Sequence, residues 1–232
     1  MSIAENVENI LSQIRQAAIA AGRDPKEITL CAATKMNDSH KVRSAISSGV
    51  TCCGENRVQE LVKKLEENAY AGADVHFIGH LQTNKVRQVV GKVSLIQSVD
   101  SERLLGAIQE EAAKQNIVQN ILLEINIGNE PSKSGFSIDQ IYEICEKMTV
   151  YPNIRVEGFM TIPPICQNSG ENRKFFQEMY NLSVDITAKK YDNIRVRILS
   201  MGMSDDFQDA IACGSTMVRI GTAIFGARDY TK

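Results

Sequence analysis

Two cations in this chain stand in apolar surroundings where they could do chemistry. Lys35 closes Ile28-Thr-Leu-Cys-Ala-Ala-Thr-Lys35, a short apolar run that reads as a buried strand. An ammonium is costly to desolvate. Either Lys35 snorkels to water at the strand end, or its site lowers its pKa so that the amine can form a Schiff base with a carbonyl. Arg219 lies within Met217-Val-Arg-Ile220. Turned inward, it is a buried guanidinium that needs a partner. That partner is a structural acid such as Glu124 or Glu157, or else a ligand.

The elements that must position these residues repeat as a unit. Residues 3–21 read as an amphipathic helix with Ile3, Val7, Ile10, Leu11, Ile14 and Ala18 on one stripe, ended by Gly22. Eight short apolar runs then alternate with helical patterns. The strands are expected at 28–34, 50–53, 75–78, 93–99, 121–127, 154–160, 194–199 and 217–220. Helices are expected at 38–48, 55–68, 82–90, 101–115, 138–148, 171–190 and 204–213, with a short turn of helix at 222–225. Such alternation implies parallel strands joined by helical crossovers. At 232 residues it fits a closed (β/α)₈ TIM barrel with an extra N-terminal helix, one domain over 1–232. An open doubly wound sheet is the alternative.

In such barrels the active site lies at the C-terminal strand ends, and phosphate often sits between the loops after strands seven and eight. Those loops are Ser200-Met-Gly-Met-Ser204 and Arg219-Ile-Gly-Thr222. Ser200, Ser204 and Thr222 offer hydroxyls, and Gly202 and Gly221 let backbone N–H groups approach an anion. One such loop alone reads as an ordinary turn; the pair, where phosphate is expected, points to a phosphate site. A lysine amine, a phosphate cradle and an inward arginine on one face together describe a phosphorylated aldehyde. Pyridoxal phosphate meets that description.

Composition sets the remaining bounds. A net charge of −2 gives no general pull toward nucleic acid or an acidic membrane. No apolar run approaches membrane-spanning length. The acidic N-terminus lacks the pattern of a signal peptide, so a soluble cytoplasmic protein is expected. The six cysteines form no C-x-x-C pair and read as reduced packing residues. His76 and His80 lack a partner spaced for a metal, and no metal site is expected.

The chain closely resembles the pyridoxal phosphate homeostasis protein family, itself similar to the barrel domain of bacterial alanine racemase. The stretches are Ala33-Thr-Lys35, Gly54-Glu-Asn-Arg-Val-Gln-Glu60, His76-Phe-Ile-Gly-His-Leu-Gln-Thr-Asn-Lys85, Glu157-Gly-Phe-Met160, Leu199-Ser-Met-Gly-Met-Ser204 and Arg219-Ile-Gly-Thr-Ala-Ile-Phe-Gly226. The resemblance implies that Lys35 carries the cofactor as a Schiff base. It implies that Ser200, Met201, Ser204, Gly221 and Thr222 surround the phosphate, that Arg219 faces the pyridine nitrogen, and that Asn56 lines the ring edge. Lys133 and Lys232 match positions proposed in the family for cofactor transfer or a second site; read by themselves they are solvated surface lysines.

An arginine beside the ring nitrogen disfavours its protonation and weakens the electron sink. Alanine racemase takes a second base from a separate β domain, for which this chain has no room. Tyr70, Tyr142, Tyr151, Tyr180, Tyr191 and Tyr230 all fall in helices, loops or the tail. The expectation is therefore a monomeric, non-catalytic carrier that buffers pyridoxal phosphate and delivers it to apo-enzymes. The rivals are an amino-acid racemase and a barrel isomerase or aldolase acting on a sugar phosphate.

Overall fold

The structure, a computed structural model, describes residues 2–166, 168 and 170–226. Eight parallel strands close on themselves in sequence order: β1 (Thr29–Ala33), β2 (Cys52–Glu55), β3 (Asp74–Phe77), β4 (Leu95–Val99), β5 (Gln119–Ile125), β6 (Ile154–Thr161), β7 (Ile194–Ser200) and β8 (Met217–Ile220). The helices are α1 (Ile3–Ala20), α2 (Ser39–Ser47), α3 (Val58–Glu66), α4 (Glu102–Lys114), α5 (Ile138–Lys147), α6 (Arg173–Lys189), α7 (Phe207–Ala212) and α8 (Thr222–Phe225). β1 pairs with β8 from Thr29↔Met217 to Ala32↔Ile220, which closes the barrel and rules out the open sheet.

Local chemistry accounts for the helix starts. Ser2 and Glu5 form a reciprocal capping box on α1, and Ser137 and Gln140 form another on α5. Asp38 and Ser101 cap α2 and α4. α1 buries Val7, Ile10, Ile14 and Ala18. It is also pinned at the site end, where Asn6 Nδ2 donates to the carbonyl of Ile224 in α8 at 2.9 Å.

The sheet separates two apolar regions. Its outer face carries Leu30, Ala32, Cys53, Phe77, Ile96, Leu123, Phe159, Leu199 and Val218, which pack with the helices in one large core. Its inner face carries two small clusters, Cys31–Cys52–Ile78–Met217 and Leu95–Leu122–Met160. Buried polar groups lie among them: His76, Gln97, Ser200 and Arg219. The seam between β7 and β8 is the thinnest in register, with Ser200↔Met217 as its one ladder pair. The Ser215 hydroxyl reinforces it, lying 3.2, 2.8 and 3.0 Å from the carbonyls of Leu199, Met201 and Met217.

Three segments differ from the sequence reading. The crossover at 82–90 is a 3₁₀ helix over Thr83–Gln88, because Thr, Asn and the Val89-Val90 pair are poor α-formers. The helix expected from Ser204 begins at Phe207, because the Asp206 side chain accepts from Met203 N at 2.7 Å and holds a turn first. β2 runs two residues further than expected and takes in Glu55, fully buried on the helix side.

Candidate functional site

β1 ends at Ala33, and Lys35 follows, half-buried at the barrel's C-terminal end. The backbone there is held on every side. Thr34 N donates to Gly54 O at 2.9 Å, and Oγ1 donates to Glu55 Oε1 at 2.6 Å while lying 3.2 Å from Gly54 O. Lys64 Nζ, reaching back from α3, donates to Thr34 O at 2.8 Å and pairs with Glu55. Beyond the lysine, Asn37 Nδ2 donates to Lys35 O at 3.0 Å. Met36 takes a left-handed φ of 61° while its N–H donates to Glu60 at 2.6 Å. A non-glycine residue held left-handed is the kind of local strain that surrounding structure over-determines.

Arg219 points into the barrel, as its apolar flanks imply. Nη1 donates to Ser200 O at 2.7 Å and to Ser200 Oγ at 2.6 Å, and Nη2 donates to Thr161 O at 2.8 Å. Neither Glu124 nor Glu157 forms an ion pair with it among the described residues. Burial pushes its pKa below the ordinary guanidinium value. Five N–H donors serve a guanidinium, so some remain for a ligand.

The loop residues divide by role. Ser200 Oγ donates inward to Gln97 Oε1 at 2.6 Å, so its hydroxyl supports Arg219 instead of opening to an anion. Met201 is buried in the outer core, and its N–H is taken by Met217 O at 3.1 Å, which makes it scaffold for the loop. Ser204 is half-buried and Thr222 exposed at the same end of the barrel. Gly221 and Thr222 stand beside the end of β1 because Ile220 is in register with Ala32. The first N–H groups of α8 point out of its N-terminus, as those of any helix do. Gly202 sits at φ +95°, where a Cβ would stand 2.6 Å from Ala210 Cβ, so the turn packs directly on α7.

Asn56 follows β2, and its Oδ1 is buried with no partner. An orphaned amide oxygen at a cavity wall is the clearest sign of a ligand's place, since leaving it unpaired costs about 1–3 kcal/mol. The site therefore fits a phosphorylated pyridine aldehyde: an amine, spare guanidinium N–H groups, a helix N-terminus and an unpaired amide share one end of the barrel. A cavity of about 250 Å³ adjoins Asn56 and is lined also by Ile78, Glu124, Lys133 and Ile162.

Sequence reading missed Gln97 and named Glu124 only as a structural partner for Arg219. Gln97 joins His76 to Ser200, with Nε2 2.8 Å from His76 Nδ1. Glu124 faces the mouth, and burial pushes its carboxyl up to about 7; the charge of Asp100 adds to the rise, and Arg219 and His80 oppose it. Both were visible as polar interruptions of apolar strands. His80 pairs with Asp100 at 3.0 Å beside them. Lys133 is not freely solvated: it pairs with Glu130 and donates to Pro163 O at 3.1 Å at the cavity wall. Lys232 lies outside the described residues. Cys31 and Cys52, read as packing residues, flank His76 inside the barrel.

Residues 5–229 match the family model of the alanine racemase N-terminal domain. A pyridoxal phosphate homeostasis protein of Aquifex aeolicus is 41% identical over 230 residues, covering 99% of this chain and all of that protein. The structure is similar to PipY of Synechococcus elongatus PCC7942, described with PLP bound, at a TM-score of 0.85 and 27% identity, covering 97% of this chain and all of that one. A Clostridium difficile alanine racemase, 15% identical, shares the fold at a TM-score of 0.76, with 98% of this chain covering 58% of it. On this agreement of sequence and fold, the chain belongs to the pyridoxal phosphate homeostasis protein family, within the wider alanine racemase N-terminal domain family.

Proposed function

We propose that this protein binds pyridoxal phosphate through Lys35 and keeps it as an exchangeable store, a single-domain monomer that releases cofactor to apo-enzymes. Arg219 carries the reading. It is held by neutral oxygens, with no acid paired to it among the described residues, so it would meet the ring nitrogen as a full cation. When bound, pyridoxal phosphate supplies an aldehyde carbon that condenses with a primary amine. The chain's own residues would orient it: Asn56 would meet the ring edge, the loops at Ser204 and Gly221–Thr222 would hold the phosphate, and Arg219 would disfavour protonation of the ring nitrogen. The names of the relatives, and PipY with PLP bound, support the same reading.

Among the described residues, no helix is long and apolar enough to cross a membrane. The cysteines among the described residues are all free thiols, which suits the cytoplasm. A second reading, slow proton exchange at an amino acid's α-carbon, rests on Glu124. Its raised pKa suits a general base, and it lines the cavity beside Asn56.

The test is an absorption spectrum before and after borohydride, with peptide mapping of the reduced adduct. The adduct maps to Lys35, and Lys35→Ala loses it while keeping the fold. Retention of a bound chromophore by Lys35→Ala would overturn the assignment. Turnover of D- and L-amino acids, or solvent deuterium entering their α-position, would move the second reading to the front.

A further inference from the structure

The barrel interior below the mouth holds donors that cofactor binding does not use. Cys31 of β1 and Cys52 of β2 are register partners, and their inward side chains pack with Met217 of β8. His76 of β3 adjoins them, with Cys52 Sγ 3.3 Å from Nδ1. The two sulfurs and a ring nitrogen all lie within 4.8 Å of one another, and all three residues are buried. Gln97 Nε2 faces the same Nδ1 at 2.8 Å and Met217 Sδ at 3.1 Å.

Buried thiols often serve only as small apolar side chains. Here the surroundings differ. Nδ1 is faced by a thiol and an amide, both of them donors, so it presents a lone pair to the sulfurs and not a proton. Two thiols, an imidazole and a neighbouring thioether form the donor set of a soft, closed-shell cation. Bonds of about 2.3 Å to sulfur and about 2.0 Å to nitrogen place tetrahedral S and N roughly 3.5 Å apart and two sulfurs roughly 3.8 Å apart. The observed Cys52–His76 distance of 3.3 Å is close to the first value, and both values fall within the 4.8 Å that bounds the three atoms.

We propose that Cys31, Cys52 and His76 form a buried site for one thiophilic d¹⁰ cation, Zn²⁺ or Cu⁺, with Met217 as a weak fourth donor. On binding, the two thiols release two protons and ligate as thiolates. With Zn²⁺ the set is neutral. With Cu⁺ it carries one negative charge, balanced by Arg219, the register partner of Cys31 on β8. Once Nδ1 gives its lone pair to the cation, the Gln97 amide gives up its contact there; through Ser200, Gln97 still joins this site to the arginine above.

Full-length protein, reduced and stripped with chelator, is titrated with Zn²⁺ and, anaerobically, with Cu⁺. Each metal is added both to native protein and during refolding, and bound metal per chain is counted by native mass spectrometry. One equivalent of one of the two ions is expected, and the metal that binds decides between them. Co²⁺ in its place gives thiolate charge-transfer absorption. Cys31→Ser and Cys52→Ser each weaken binding at least roughly 100-fold, since outer partners alone are worth 10–100-fold, while Cys53→Ser, on the outer face, does not. X-ray absorption on the wild type, which depends on no variant, reads two sulfurs and a nitrogen. Absence of stoichiometric binding under either addition, an oxygen-only shell, or binding unchanged in both serine variants would overturn the proposal.

Discussion

Replacing Lys64 with methionine should unfold this barrel more readily and loosen the anchor lysine, although Lys64 lies outside the mouth. Its side chain is 5% exposed, and its Nζ serves Thr34 O, Glu55 and, at 3.6 Å, Glu60. Glu55 is fully buried, and its Oε2 already lacks a partner. Lys64→Met leaves that carboxylate with Thr34 Oγ1 alone. Stranding one member of a buried pair costs about 3–5 kcal/mol; the half-exposed Glu60 contact adds under about 1 kcal/mol. For a chain of this size the loss lowers the melting temperature by roughly 6–20 °C. Because Thr34 precedes Lys35, recovery of the borohydride-reducible adduct falls as well. The assay is urea denaturation followed by circular dichroism, with Lys64→Met compared to the double variant Glu55→Leu/Lys64→Met. The double variant should recover most of the loss, since replacing both charges with apolar groups is often neutral. A single variant within about 1 kcal/mol of wild type, or a double variant no better than the single, would refute the reasoning.

Gly79→Ala places a Cβ 2.1 Å from the Asn56 carbonyl, so it should cost about 1–3 kcal/mol and shorten cofactor retention, read by dialysis against fresh buffer. Ser200→Ala removes the acceptor of one Arg219 bond and strands Gln97 Oε1; a loss of about 1–3 kcal/mol is expected, with a shifted chromophore band if Arg219 moves. Glu124→Gln tests the raised carboxyl. The folded state holds this proton more tightly than the unfolded one, so its stabilisation is full below pH ~4.5 and is lost as pH rises through about 7. Urea melts at pH 5 and pH 8 should show a wild-type decline of up to about 3 kcal/mol from this group that the glutamine variant lacks.

The alternation of apolar runs made all eight strands legible, but not their closure: periodicity alone fits an open sheet as well, and only the β1–β8 register decides. Lys35 and Arg219 stood out for one reason: a lone cation in an apolar run has no bland surroundings to hide in. The inner and outer faces of the sheet were not legible. Cys31, Cys52 and His76 meet only because β1, β2 and β3 lie in a particular register, which linear spacing does not encode. Glu55 read as the start of a helix, but β2 lies two residues further along and takes it in, turned toward α3 and Lys64. The family pattern assigned Met201 and Ser200 to phosphate; no local motif announces that the Met201 amide is taken by Met217 O or that the Ser200 hydroxyl is engaged by Gln97 and Arg219.

A closed barrel has no edge strand from which to fray, so its first opening must come at a seam. The β7–β8 junction, with one ladder pair and a serine hydroxyl stitching three carbonyls, is the place with least to break. The amides of Met201 and Arg219, which cross it, belong to the low end of the hydrogen-exchange scale by the same logic that sets foldon boundaries. The two loops proposed to grip the phosphate rise from opposite sides of this junction. A ligand held by both is a clasp across it, and its residence time and the exchange rate of those amides then report a single event: the unlatching of the barrel wall.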